Sequence, residues 1–508
     1  MIRTAVTENG KVKGVEAADP RITAFKGIPF ATPPVGKNRW RAPQPCPNWN
    51  NTLEAYRFAP ISMQDTPGLG DDVYCREWHV DANIPMDEDC LYLNVWTSAK
   101  TVDEKQPVLV WFFGGALQWG YTAEMEFDGE RIARRGITVV TVNYRLNVFG
   151  FLAHKELTAQ QADAPTNFGH LDQQAGLKWV IRNIHNFGGD PDNITIAGQS
   201  AGGGSVLSHM TCPDNLGLFQ KAILQSAMIY NPYEGAGVFQ PKILSEAEQT
   251  GASFFEYMGV KNLEEARSLE ALYIRDKYSD FMKKHGFMTT VIDGKFCIDD
   301  PLLLYMNNKH AKVPIMSGNT SDEFLSSINA NSDDEFVDKS NVIFEKHVKD
   351  FLAFNESWKN DGNNYASVSG TESTVKSLFL QNNKYGNSKN YYYRFDVDIP
   401  GWDNPGTFHS VDLWFFFETL AKSWRPFTGT HYDIARQMCN YYCNFIKSGN
   451  PNGLDSDGTQ LPQWSPYMKE NRHSMVFSTD GPYIEKDDSK FMKFMIQRVN
   501  DKLSGGNV

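Results

Sequence analysis

The 508-residue chain has no run of Lys or Arg, and its 49 basic residues are outnumbered by 61 acidic ones, giving a net charge of −12. Phosphate backbones are gripped by clustered cations, so nucleic acid is excluded as a partner, and the acidity reads as a solvated surface. No stretch approaches the ~20 apolar residues that cross a bilayer. Met1 to Gly14, MIRTAVTENGKVKG, lacks both the apolar core and the cleavage pattern of a secretory leader. These absences predict a cytoplasmic protein without a membrane span. Cysteine is sparse: Cys46, Cys75, Cys90, Cys212, Cys297, Cys439 and Cys443 are an odd seven, with no C-x-x-C pair, which predicts no metal site. Cys439 and Cys443 stand four apart on a predicted helix and read as packing residues. Internal repeats and low-complexity tracts are also missing.

What is present points to a large globular core: 41% of residues are apolar and 13% are Phe, Trp or Tyr. Apolar, β-branched runs recur at Pro107–Phe113, Thr138–Asn143, Ile194–Ala197, Ala222–Gln225, Pro314–Ser317 and Tyr391–Phe395, with helical patterns between several of them. Near-continuous apolar runs suit strands buried on both sides, so the rhythm predicts an α/β fold: a central, mostly parallel sheet flanked by helices. Leu171–Asn186 and Tyr432–Lys447 are predicted amphipathic helices. The strand rhythm breaks at about 230–310 and again at 325–388, which read as large helical insertions shaping the active-site entrance. No Pro- or Ser-rich linker isolates either, so residues 1–508 read as one domain.

Ile194-Thr195-Ile196-Ala197 leads into Gly198-Gln199-Ser200-Ala201-Gly202 and then into a helical pattern. This is G-x-S-x-G in strand–turn–helix context. The chemistry needs that arrangement, because a strained turn between small neighbours lifts the Ser200 hydroxyl above the sheet, and the helix N-terminus favours a developing oxyanion. A dehydrogenase reading competes, since Gly198, Gly202 and Gly204 also match a glycine fingerprint and Tyr273 with Lys277 gives Y-x-x-x-K. That fingerprint belongs after the first strand, with a ribose-gripping residue ~20 positions on. Here it lies mid-chain, and the next strand ends in Gln225-Ser226.

The apolar run ending in Phe113 meets Gly114-Gly115-Ala116. Such a loop brings backbone N–H groups to a substrate carbonyl, together with the N–H of the residue after the nucleophile, Ala201. In this chain order an acid and then a histidine follow the serine. Among His347, His409, His431 and His473, His409 alone follows a strand and a turn-rich loop, Asp403 to Phe408. Pro314 to Gly318 leads into Asn319-Thr320-Ser321-Asp322-Glu323-Phe324, and either Asp322 or Glu323 could orient the histidine.

Long segments carry a resemblance: Phe25 to Ala31 with Pro33 to Gly36, Glu88 to Trp96, Asn143 to Arg145, Asn167 to Gln173, and Phe187 to Gly202. On these the chain, nearly end to end, resembles the type-B carboxylesterases, the family of bacterial para-nitrobenzyl esterases, mammalian carboxylesterases and cholinesterases. The resemblance implies an α/β-hydrolase fold and a triad of Ser200, Glu323 and His409. It implies Gly115, Ala116 and Ala201 as oxyanion donors, Ser226 as a support for the acid, and a buried Arg39–Glu88 ion pair. Likeness to bacterial members implies an intracellular bacterial enzyme, with Cys75 and Cys90 as free thiols where secreted relatives form a disulfide.

The sequence also departs from that family. Phe113 and Leu117 flank the glycine loop where the family has His or Tyr and Phe, Phe324 replaces a glycine after the acid, and Gln199 stands where cholinesterases carry Glu. Trp78 is out of clear register with the tryptophan that stacks on quaternary ammonium, which argues against choline esters. The implied activity is hydrolysis of small to medium, fairly apolar carboxylic esters through an acyl-enzyme, with no metal and no cofactor. A non-catalytic binding protein is disfavoured by the persistence of all three triad residues, and a lipase would differ by activation at droplets.

Overall fold

The apolar runs form the middle of an eleven-stranded sheet. In chain order its strands are β1 (Val15–Glu16), β2 (Thr23–Pro29), β3 (Tyr92–Thr97), β4 (Gln106–Phe112), β5 (Thr138–Val142), β6 (Gly189–Gln199), β7 (Lys221–Gln225), β8 (Ile315–Thr320), β9 (Asn390–Asp396), β10 (Ser474–Ser478) and β11 (Gly481–Glu485). They lie in the order β11-β10-β9-β8-β7-β6-β4-β5-β3-β2-β1. The run from β10 to β5 is parallel, and antiparallel pairs finish both edges. The structure is a computed structural model that describes residues 1–237 and 240–505. It has the α/β-hydrolase fold, and among the described residues no helix is long and apolar enough to cross a membrane.

Alternate side chains of each central strand enter opposite cores, as the period of two requires. Val108, Val110, Ile194, Ile196, Ala222 and Leu224 pack with helices α1 (Phe168–Asn183), α2 (Ala201–Thr211), α3 (Gly370–Lys384) and α5 (Lys490–Leu503). Leu109, Trp111, Ala197, Ile223, Met316 and Tyr393 pack on the other face with α4 (Gly429–Ser448) and the helices Leu244–Met258 and Ala271–His285. Both faces are therefore covered, which is why the strands read as unbroken apolar runs.

All six strands anticipated from the sequence lie in the parallel run, but β6 is longer than its apolar stretch, reaching from Gly189 to Gln199. Helix α1 starts earlier than its amphipathic pattern and ends at Asn183, with Ile184–Phe187 continuing as a 3₁₀ turn. Segment 325–388 is less helical than the sequence predicts. Leu325–Asn329, Asn360–Asp361 and Asn364–Ser369 form a small antiparallel sheet, and α3 is the crossover helix between β8 and β9. The burial pattern of Leu325–Asn329 alternates, a period of two that five residues carry too weakly to stand out in the sequence.

Buried ion pairs tie these pieces together. Arg39 meets Glu88 in a two-pronged contact, 2.6 Å at each prong, and its Nη1 donates to the carbonyls of Ala266, Arg267 and Leu269. The same guanidinium thus fixes the end of the helix Leu263–Ser268 against the main body. Lys376 on α3 bridges Glu372 and Asp488.

Candidate active site

Ser200 stands between the end of β6 and the start of α2, at φ +55° and ψ −125°. A non-glycine residue rarely adopts this conformation, and holding it costs on the order of 1–3 kcal/mol. Close backbone packing compels it. A Cβ on Gly202 would lie 2.1 Å from the Phe112 carbonyl oxygen, and one on Gly198 would lie 2.4 Å from Gly202. The Ser200 N–H donates to the Gln225 carbonyl at 2.8 Å, which fastens the turn to β7.

The loop after β4 passes directly beside this turn, since a Cβ on Gly114 would meet the Gln199 carbonyl at 2.7 Å. Gly115 and Ala116 both have positive φ, and their N–H groups find no acceptor among the described residues. Phe113 turns away from the site and stacks on Tyr144, with ring centroids 4.3 Å apart. Leu117 faces the cavity beside Ser200.

His409 and Glu323 come from the ends of neighbouring strands β9 and β8. The imidazole Nδ1 lies 2.5 Å and 2.9 Å from the two Glu323 carboxylate oxygens, and the carboxylate is fully buried. Asp322 has another job: its Oδ2 accepts the Thr407 N–H at 2.7 Å, and an isolated bridge joins Asp322 to Phe408. With the Nδ1 proton directed at Glu323, Nε2 is an acceptor, and the Gln199 amide nitrogen lies 3.2 Å from it. No Ser200–His409 hydrogen bond forms among the described residues, although both side chains line one cavity. Catalytic hydrogen bonds are often long until substrate is bound. Ser226 is buried with its hydroxyl unpartnered among the described residues, while Glu323 also accepts from the Phe324 N–H.

Phe324 lays its exposed ring 4.5 Å from the imidazole centroid, a contact that the sequence signalled only as a missing glycine. Asp412 is buried near Glu323 and His409 and accepts from the Tyr393 hydroxyl at 2.8 Å. Burial pushes its carboxyl up to about 6 against the pull of that hydroxyl.

Two cavities meet at Ser200. One, of about 810 Å³ with its open mouth, is mainly apolar and is lined by Leu117, Leu207, Met228 and Leu302 among others. The second, of about 1360 Å³ with its open mouth, carries His409, Gln199, Tyr74, Trp78, Phe127 and Phe324. Trp78 therefore does face the site. Asp72 caps the short helix Val73–Glu77, which delivers the indole against Tyr74 and Phe408.

The insertion at about 230–310 reaches the site through Gln240, Pro241, Thr289, Thr290, Pro301 and Leu302, which line the apolar cavity beside Ser200, whereas its aromatic side chains near 250–290 line neither cavity. Phe254, Phe255, Tyr278 and Phe281 are packed into the core instead. All seven cysteines, Cys75 and Cys90 included, are free thiols.

Comparisons with known proteins concern the chain as a whole. The model of the Carboxylesterase family matches residues 3–494. The chain is 30% identical to the para-nitrobenzyl esterase of Bacillus subtilis (strain 168), over 93% of this chain and 94% of that protein. It is 32% identical to the bile salt-activated lipase of Mus musculus, over 96% of this chain and 86% of that one. Among solved structures, a PNB esterase superposes with a TM-score of 0.75 at 26% identity, covering 98% of this chain and all of the other. A Geobacillus stearothermophilus carboxylesterase at pH 6.2 gives 0.77 at 28% identity, covering 97% and 100%.

Proposed function

The chain belongs to the carboxylesterase family and is a carboxylic ester hydrolase, and from that premise we propose that Ser200, His409 and Glu323 form its catalytic triad. The Ser200 oxygen attacks the ester carbonyl while His409 Nε2 takes the hydroxyl proton. The Gln199 amide must yield Nε2 to the serine as substrate enters. Glu323 holds the ring in the Nδ1–H tautomer and offsets the imidazolium charge, and the N–H groups of Gly115, Ala116 and Ala201 receive the oxyanion. The imidazolium then protonates the departing alkoxide. Water, deprotonated by His409, attacks the acyl-enzyme and frees the acid and the serine.

The observation that carries this reading is the double contact between His409 Nδ1 and a fully buried carboxylate, beside a serine held at φ +55°. The apolar cavity suits a small to medium aliphatic or aryl acyl group. The test is hydrolysis of p-nitrophenyl butyrate by the parent and by Ser200→Ala, with intact-protein mass after exposure to an organophosphate. Turnover lost in the variant, with one phosphyl adduct at Ser200 in the parent, is the expected result. A folded parent with neither turnover nor adduct refutes the triad.

A further inference from the structure

The imidazole of His409 is held at both edges and on one face. Glu323 takes the Nδ1 edge at 2.5 and 2.9 Å, and the Gln199 amide nitrogen stands 3.2 Å from Nε2. The face belongs to Phe324, whose ring centroid lies 4.5 Å from that of the imidazole with 37° between the two planes.

Phe324 comes there from a chain that has just left β8. The Glu323 side chain turns inward and is fully buried, while the next side chain, Phe324, stays about half exposed. Its ring belongs to none of the hydrophobic clusters of the fold. Among the described residues its one aromatic neighbour is His409, and both line the same cavity. An apolar ring that fills no core and lies flat against the proposed base is placed to act on that base.

What the contact does depends on the charge of the imidazole. The face of a benzene ring carries negative potential, so it attracts an imidazolium more strongly than a neutral imidazole. In the proposed triad His409 becomes an imidazolium twice in each turnover, once with the Ser200 proton and once with a proton from the attacking water. No Lys or Arg lines this cavity, and among the described residues its carboxyls Asp65, Asp72, Glu124 and Glu126 make no hydrogen bond to His409. Glu323 thus meets the charge at one edge of the imidazole, and Phe324 meets it on the face.

We propose that Phe324 is a positioning residue of the reaction: its ring holds the plane of the His409 imidazole and stabilises the imidazolium formed in both acylation and deacylation. This rests on the triad reading above. A contact that strengthens only when His409 is charged lowers the barrier without tightening the ground state, so its effect falls on kcat. Contacts of a cation with a ring face correspond to about a two- to thirtyfold change in rate.

Fluorinated phenylalanines placed at position 324 separate the charge of the ring face from its shape, since each fluorine drains the face with little change in volume. Hydrolysis of p-nitrophenyl butyrate is followed for the parent and for the mono-, di- and trifluoro forms, with working sites counted by organophosphate titration so that loss of folded protein does not enter kcat. The expected result is a stepwise fall in log kcat with fluorine number, reaching about threefold or more in the trifluoro form, with KM within about twofold of the parent. Phe324→Leu, which keeps an apolar side chain without a ring, falls at least as far, and Phe324→Tyr, whose ring face is as negative, recovers the parent kcat. A flat fluorine series overturns the proposal, as does Phe324→Leu matching the parent in kcat or a loss that falls on KM alone. Turnover that survives in His409→Ala would instead refute the triad.

Discussion

Replacing Glu323 by Gln is the most discriminating single change in the site, because it keeps the shape and removes one charge. The carboxylate is fully buried and touches His409 Nδ1 at 2.5 and 2.9 Å, so solvent screening is slight. Two unit charges at ~4 Å and an effective dielectric near 20 interact by about 4 kcal/mol. That interaction exists only once His409 is an imidazolium, which is in the transition state, so its loss falls on kcat and not on KM. About 4 kcal/mol is roughly a 10³-fold fall in rate, and a carboxamide that also favours the wrong tautomer brings the loss to roughly 10⁴. Stopped-flow and steady-state hydrolysis of p-nitrophenyl butyrate, with unfolding curves for both proteins, reads this directly. Asp322→Asn is the comparator: its side-chain oxygen can still accept the Thr407 N–H, and kcat is expected within about tenfold of the parent. If Glu323→Gln keeps more than a tenth of kcat while Asp322→Asn collapses, the acid has been assigned to the wrong residue.

Three further outcomes follow from the same geometry. Gly202→Ala puts a methyl group 2.1 Å from the Phe112 carbonyl oxygen; the expected cost exceeds ~4 kcal/mol, seen as loss of soluble protein or a much lower urea midpoint. Ser200→Gly abolishes turnover yet relieves the φ +55° strain, so its unfolding free energy should rise by about 1–2 kcal/mol; a lower value would mean the turn is not strained. The Asp412 carboxyl, raised from 3.8 to about 6, contributes stability that is present below pH 4 and is lost as pH climbs through 6. Asp412→Asn does not titrate, so its stability relative to the parent should improve by about 2–3 kcal/mol between pH 4 and pH 8; urea titrations at the two pH values check this, and a flat difference would refute it.

Much of the fold was legible because buried parallel strands announce themselves as apolar runs, and six of the seven parallel strands stand out that way. The exception was β10, whose Ser474–Ser478 carries a serine at each end and lies close to the sheet edge. Ser200 and its glycine neighbours were legible because the turn admits so few residue types. His409 was legible from chain order and loop context, and the choice of Glu323 over Asp322 came from family likeness, since the two acids are adjacent and pattern cannot tell which one turns inward. Gln199 was singled out beside the nucleophile, but its contact with Nε2, the Phe324 ring over His409 and the inward Glu124–Glu126 pair were not legible. Each depends on where a loop carries a side chain, which neither periodicity nor spacing encodes. Which side chains of the 230–310 insertion face the cavity was not legible for the same reason: an aromatic-rich insertion reads alike whether it walls a cavity or fills a core.

The bridge between Asp322 and Phe408 extends the pairing of β8 and β9 one rung past the sheet, with Ile315 to Thr320 already matched to Asn390 to Phe395. The acid and base of the proposed triad therefore ride on a single fork, while Ser200, its proposed nucleophile, sits on its own prong, a turn fastened to β7 in the same sheet. Thermal loosening between fork and prong would uncouple His409 from Ser200 before it parted His409 from Glu323. Such a machine fails by slipping out of gear, and heat inactivation should at first be reversible on cooling, with the fork intact.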